Sequence, residues 1–136
     1  MNPTLRNILV VIGALVAGSI IVYAFESISH IIFAPPAEID TADIASLKTF
    51  MKNAPAGSLA IVLLAHAAGA MVSGWLIGRF VLSSQRMLAM IVGLVWTFFG
   101  VINLVLIPHP LWFTIADVCV YFPMTLLGLK LSGSNS

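Results

Sequence analysis

Five polar side chains lie inside stretches of this sequence that are otherwise apolar, and their types could do chemistry. They are two carboxylates, two imidazoles and one amide: Glu26, Asp117, His30, His66 and Asn103. Glu26 and His30 are four residues apart, which places them on one face of a helix. A carboxylate beside an imidazole can share a proton near neutral pH, and the same groups are ligands for zinc or a similar divalent ion.

The residues around these groups have the composition of a membrane protein. Of 136 residues, 60% are hydrophobic and 8% are charged, whereas a soluble domain carries about 25% charged residues. Because so few charges could not cover a water-facing surface, we predict an integral membrane protein of one domain in a lipid bilayer. The Lys and Arg residues are scattered and form no basic patch, so no nucleic-acid partner is expected. The single cysteine, Cys119, lies in an apolar stretch and is expected to be buried.

Four segments contain the ~20 predominantly apolar residues that a membrane crossing needs. We predict crossings at about 5–33, 59–82, 87–107 and 111–131, with an outer loop at 34–58 and a polar tail at 132–136. The linkers at 83–86 and 108–110 are so short that the last three crossings must be sequential antiparallel neighbours. The predicted fold is therefore all-α, with four antiparallel transmembrane helices forming one domain over residues 1–131.

The outer loop contains the signature of a short helix. Apolar residues recur at spacings of three and four with lysines opposite them: Ile44, Leu47, Phe50 and Met51 against Lys48 and Lys52. Asp40 or Thr41 can cap the first turn. This pattern predicts an amphipathic helix that lies in the membrane interface.

The basic residues near the crossing ends predict the orientation of the chain. Four of them lie on the side of the amino terminus: Arg6, Arg79, Arg86 and Lys130. The other side holds only Lys48 and Lys52. Because cytoplasmic loops carry the excess of Lys and Arg, both termini are expected in the cytoplasm.

The polar residues of the crossings form one layer. Counted at 1.5 Å per residue from the outer end of each helix, Glu26, His66 and Asp117 lie ~9–10 Å deep, and His30 and Asn103 lie ~5–6 Å deep. All five therefore fall in the outer half of the bundle. An intramembrane charge costs several kcal/mol unless it is paired or hydrated, so we expect these side chains to line one shared outer cavity.

Several functions are compatible with such a layer. The network could simply fix the helix register. The leading functional hypothesis is a non-enzymatic binding or accessory protein, as a homo-oligomer or within a larger membrane complex. One alternative is a metal-dependent membrane enzyme or metal carrier, with Glu26, His30, His66 and Asp117 as ligands to a divalent ion. Another is a proton-coupled transporter or channel that works as an oligomer.

Whether the chain is an enzyme is left open by its motifs. The sequence contains no H-E-x-x-H, G-x-S-x-G, Walker or dinucleotide-binding motif. Ser27 and Ser29 lie close to His30, but we expect both hydroxyls to bond back to carbonyls of their own helix. No catalytic residue is therefore assigned.

Two short segments carry a family resemblance. E-S-I-S-H-I-I-F-A-P-P at 26–36 and I-P-H-P-L-W-F at 107–113, with an acidic loop after the first, resemble a group of small, uncharacterised four-helix bacterial membrane proteins. The resemblance covers nearly the whole length and implies a bacterial inner-membrane setting. It implies no activity, and it draws attention to Glu26, His30, Pro35, Pro36 and His109.

Overall fold

The computed structural model describes residues 2–133 and is all-α. Its helices are α1 Pro3–Ile32, α2 Ile44–Lys52, α3 Ala56–Phe80, α4 Gln85–Leu106 and α5 Leu111–Leu131. All except α2 are long and apolar enough to cross a membrane, which confirms the four predicted long apolar helices. Residues 134–136 of the predicted polar tail lie outside the described residues.

The long helices begin where the sequence supplies a suitable first turn. The side chain of Asn2 accepts a hydrogen bond of 2.9 Å from the amide of Thr4, and Pro3 follows it in the first helical position. α3 and α5 begin directly after Pro55 and Pro110, whose carbonyls accept bonds of 3.2 and 3.1 Å from the amides four residues later. A proline suits these positions because no N–H is needed there.

α3 is the central helix of the bundle. It packs along α1 on one side and along α5 on the other, while α4 packs mainly against α5. The end that carries residues 33–55 and 107–110 is called the loop end, and the end that carries Pro3, Leu131 and residues 81–84 is called the terminal end. Consecutive long helices therefore run in opposite directions, and the polar layer lies towards the loop end.

Glycines permit the closest helix contacts. A Cβ on Gly18 of α1 would lie 2.7 Å from the carbonyl oxygen of Gly69 on α3, and one on Gly69 would lie 2.8 Å from the carbonyl oxygen of Gly18. Between α3 and α5, a Cβ on Gly74 would overlap the carbonyl of Thr125, and one on Gly128 would overlap the backbone of α3. Close backbone approach is a main source of helix association in a membrane, because burial of apolar groups supplies little driving force there.

α2 is capped two or three residues later than the sequence suggests. The carboxylate of Asp43 accepts a hydrogen bond of 2.9 Å from the amide of Ser46. Asp40, one of the two predicted caps, instead accepts from the amide of Ala42 in the turn that precedes the helix. The backbone of Asp43 also closes this turn onto the carbonyl of Asp40, so the helix can start only after it.

The Asp43 cap predicts a pH dependence of α2. Hydrogen bonds from Ser46, chiefly from its backbone amide, hold the pKa of Asp43 below its ordinary value of 3.8. The cap therefore contributes its stabilisation above that value and loses it as the pH falls through the lower pKa of the folded state. We expect NMR chemical shifts of residues 44–52 to report loss of helix in that acidic range. Asp43→Asn should abolish this pH dependence while keeping a capping oxygen, and an identical acid transition in that variant would contradict the assignment.

Candidate functional site

One face of α5 carries a buried stripe at four-residue spacing. Phe113, Asp117 and Thr125 are fully buried, and Tyr121 is 2% exposed. Residues four apart share a helix face, so these four side chains point together into the bundle. Cys119 falls two residues from Asp117 and is exposed on the other side of the helix, so the prediction that it is buried was wrong.

A buried pair joins α3 to α5. His66 Nδ1 lies 2.5 Å from Asp117 Oδ1, and the hydroxyl of Tyr121 lies 2.8 Å from Nδ1 and 3.1 Å from Asp117 Oδ2. The rings of His66 and Tyr121 stack with their centroids 5.3 Å apart. An ionised carboxylate only accepts hydrogen bonds, so with Asp117 ionised this contact requires a proton on Nδ1. As expected from the small-residue stripe below it, His66 points into the bundle.

The other nitrogen of the same imidazole faces α1. Glu26 Oε1 lies 3.5 Å from His66 Nε2. The Glu26 side chain is 38% exposed, whereas that of Asp117 is 0% exposed. One imidazole thus stands between two carboxylates that differ in burial and in distance. The structure brings Glu26, His66 and Asp117 together from three helices.

A second group of residues fixes this cluster from the remaining helix. Trp96 of α4 stacks nearly parallel on Tyr121, with ring centroids 6.1 Å apart. Its Nε1 donates a hydrogen bond of 3.1 Å to Ser73 Oγ, which lies 2.8 Å from the carbonyl oxygen of Ala14 on α1. The network therefore connects all four long helices. Within residues 2–133, every buried side-chain nitrogen and oxygen has a hydrogen-bond partner.

Sequence reasoning assigned no function to this second group. Tyr121 is different: the sequence places it on the face of Asp117, four residues after it, as a candidate hydrogen-bond partner of that carboxylate. Trp96 and Ser73 carry no such signal, because their contact depends on how α4 is rotated against α3.

A cavity of about 220 Å³ lies at the loop end beside this cluster. Its polar lining consists of Glu26, Ser29, His30, Ser58, Asn103 and His109. Leu47, Phe50 and Met51 of α2 also line it, so the short helix covers part of the cavity with its apolar side chains. We call this space the loop-end cavity.

The loop-end cavity divides the five predicted site residues into two groups. Glu26, His30 and Asn103 line it, whereas His66 and Asp117 lie deeper and do not. The single cavity expected from the sequence is therefore replaced by a cavity and a buried pair, with Glu26 between them. The reason is packing: α3 and α5 approach so closely that Tyr121 fills the space around His66.

Two serines that precede His30 behave differently. Ser27 Oγ donates to the carbonyl of Tyr23 at 2.8 Å, as predicted. Ser29 does not bond within its own helix, because it is buried against α3, where its hydroxyl lies 3.3 Å from that of Ser58. That part of the prediction was wrong, and the contact joins α1 to α3 at the cavity wall.

His109 contributes a half-buried ring to the same wall. Its Nδ1 lies 2.6 Å from the carbonyl oxygen of Ile107, and the ring stacks on Phe113 with centroids 4.9 Å apart. Burial lowers the pKa of His109 below its ordinary value of 6.5. The ring is thus neutral at neutral pH, with Nδ1–H donating to the carbonyl.

The four predicted metal ligands do not converge on one point. Among residues 2–133, no group of three or more His, Cys, Asp or Glu side chains is arranged to hold a metal ion. Both nitrogens of His66 already face the carboxylates of Glu26 and Asp117. His30 is exposed on the cavity wall instead.

The chemistry of the arrangement follows from the two carboxylates. Asp117 fixes the orientation of the His66 ring from inside the bundle. Glu26 presents a carboxylate to the loop-end cavity while it remains within reach of the imidazole.

In sequence and in fold, the chain matches no protein-family model, no curated protein and no solved structure.

Proposed function

We propose that this chain is a small integral membrane protein that binds a small polar ligand in the loop-end cavity, with Glu26 as the charged contact. The observation that carries the proposal is the difference between the two carboxylates around His66. Asp117 is fully buried at 2.5 Å, whereas Glu26 is partly exposed at 3.5 Å and lines the cavity. A carboxylate held this loosely can exchange its contact with His66 for a contact with a ligand.

The same geometry favours binding over catalysis. The hydroxyls of Ser29 and Ser58 are engaged with each other. The imidazole of His66 faces a carboxylate at each nitrogen. The one hydroxyl described beside it, that of Tyr121, also bonds to Asp117 and does not line the cavity, so neither nitrogen is directed at a cavity hydroxyl as a general base would be. The chain therefore acts as a binding or accessory protein, alone, as a homo-oligomer or in a larger membrane complex.

The proposed setting is a bacterial inner membrane with both termini in the cytoplasm. Four helices of sufficient length and hydropathy support the membrane setting. The excess of Lys and Arg at the terminal end supports the orientation. The loop-end cavity would then face the outer aqueous compartment, and α2 would lie in the outer interface with Lys48 and Lys52 towards the headgroups.

Reporter fusions test this orientation. Alkaline phosphatase, which is active only outside the cytoplasm, should be active when fused after Asn53 in the loop and inactive when fused after Leu131. A fluorescent protein that folds only in the cytoplasm should give the opposite result at the same two positions. The reverse pattern would contradict the orientation and would place the cavity on the cytoplasmic side.

Filling the cavity tests the binding function. Val62 lines the cavity, whereas Val16 is 54% exposed on α1. Protein in lipid nanodiscs is incubated with a panel of small cationic, neutral and anionic compounds, and the thermal unfolding midpoint is measured. We expect at least one compound to raise the midpoint of the wild type and of Val16→Trp but not of Val62→Trp. Equal shifts in both variants, or none in the wild type, would contradict the proposal.

A proton-coupled transporter or channel is the second candidate. It is favoured by one observation: His66 links a carboxylate on the cavity wall to a carboxylate inside the bundle. Nearer the terminal end, the buried hydroxyls of Ser73 and Thr125 donate to backbone carbonyls and so do not extend the chain of ionisable groups. A proton path across the membrane would therefore need groups from a neighbouring copy. Reconstituted vesicles should then show a pH-driven flux that His66→Gln abolishes, and the absence of any flux would reject this candidate.

A further inference from the structure

We infer that the ligand of the loop-end cavity is a small organic cation, an ammonium group on a short apolar body, with its positive charge against Glu26. The inference rests on the proposed binding function and adds the chemical class of the ligand.

The charge of the cavity wall points to a cation. Among the described residues that line the cavity, Glu26 is the one Asp, Glu, Lys or Arg. The nearest lysines, Lys48 and Lys52, are exposed on α2 and do not line it. His109 is neutral at neutral pH for the reason given above, and His30 is exposed. A ligand in the cavity therefore meets a carboxylate without a fixed positive charge beside it on the wall.

The buried cluster behind Glu26 strengthens this preference. Together with Glu26, its His66 and Asp117 form a set of two carboxylates and one imidazole. Even with His66 as an imidazolium, the three groups carry a net charge of −1 when both carboxylates are ionised. Because a net charge inside a membrane protein is costly, a second positive charge at Glu26 would be favourable. A bound cation supplies that charge while Asp117 and His66 remain paired.

The remaining lining selects an organic cation over an inorganic one. Half of the lining side chains are apolar, including the rings of Phe33 and Phe50. Aromatic faces attract ammonium groups, whereas a hard metal cation requires a shell of about six to eight oxygen ligands. The amide oxygen of Asn103 can accept a hydrogen bond from an ammonium N–H. The volume of about 220 Å³ is smaller than the ~300–1,000 Å³ typical of drug-sized ligands, so the apolar body must be short.

The test uses n-butylammonium chloride as the probe and butan-1-ol as its neutral isostere. Binding to the protein in nanodiscs is measured by isothermal titration at fixed ionic strength, with empty nanodiscs as the blank for partitioning into lipid. We expect saturable binding of the ammonium but not of the alcohol. Glu26→Gln should weaken the affinity for the ammonium by about 10- to 100-fold, which corresponds to the loss of one charged hydrogen bond. Equal affinity of wild type and Glu26→Gln for the ammonium would overturn the inference.

Further variants separate the inference from the binding function and from folding. Glu26→Asp keeps the negative charge and should retain ammonium binding. Val62→Trp keeps Glu26 but fills the cavity, so this variant should not bind the ammonium. Failure of either expectation counts against a cationic ligand. If a neutral compound binds in a way that both Val62→Trp and Glu26→Gln weaken, while n-butylammonium does not bind, Glu26 contacts a ligand of another class and the inference falls alone. If no compound shows binding that is sensitive to Val62→Trp, the inference and the proposed function fall together.

Discussion

Asp117→Ala is expected to lower the free energy of unfolding by about 3 kcal/mol, the lower end of the cost of removing one partner from a buried ion pair. Asp117 is fully buried and accepts from both His66 and Tyr121, so its loss leaves two polar groups without this acceptor inside the bundle. The lower end applies because polar groups in membrane proteins partly find substitute partners. Reversible unfolding in mixed micelles measures the change.

Two controls make this result specific. Glu38→Ala removes a carboxylate from the exposed loop and should change the free energy of unfolding by no more than about 0.5 kcal/mol. In a His66→Ala background, Asp117→Ala should cost less than in the wild type, because the main partner is already absent. If Asp117→Ala were no more destabilising than Glu38→Ala, the buried pair would not stabilise the bundle.

Gly74→Ala should also destabilise the protein, by about 1–3 kcal/mol or more. The added Cβ would overlap the backbone carbonyl of Thr125, and a backbone atom inside a packed helix cannot turn away as a side chain can. Alanine forms helices more readily than glycine, so helix propensity alone would raise the stability of this variant. A decrease in stability would therefore point to the steric overlap. The same unfolding assay measures it.

Gly13→Ala provides the matched control on another long helix. No heavy atom lies within 4 Å of a Cβ built on Gly13. This substitution should leave the stability unchanged or raise it by about 0.5–1 kcal/mol, the usual gain from replacing a glycine within a helix. If Gly13→Ala and Gly74→Ala had the same effect, close contact between α3 and α5 would not explain the need for glycine at position 74.

The length and polarity of the apolar runs predict much of this fold. A membrane crossing requires a minimum length, so the bounds of α1, predicted at 5–33 and found at Pro3–Ile32, follow from the extent of its apolar run. The rise per residue likewise predicts that Glu26, His66 and Asp117 lie at one depth, and the structure brings them together.

Depth alone does not determine which side chains touch. The partner of a residue also depends on the rotation of each helix about its axis, and a nearly uniform apolar sequence carries little information on that rotation. For this reason His30 and Asn103 separate from His66, Ser29 contacts α3, and Trp96 reaches Tyr121. The row of small residues after His66 gives the rotation of α3, and this is where sequence reasoning about the site is most accurate.

Cysteine labelling at position 26 tests most directly whether Glu26 marks the boundary between the loop-end cavity and the buried pair. In a Cys119→Ala background, Glu26→Cys and the fully buried position Thr125→Cys are exposed to a membrane-impermeant thiol reagent, added separately to each side of the membrane. We expect the cysteine at position 26 to react from the loop side only, and to be protected when Val62→Trp fills the cavity. The cysteine at position 125 should react from neither side. A cysteine at position 26 that is as unreactive as the one at position 125, or that reacts from the terminal side, would contradict this account.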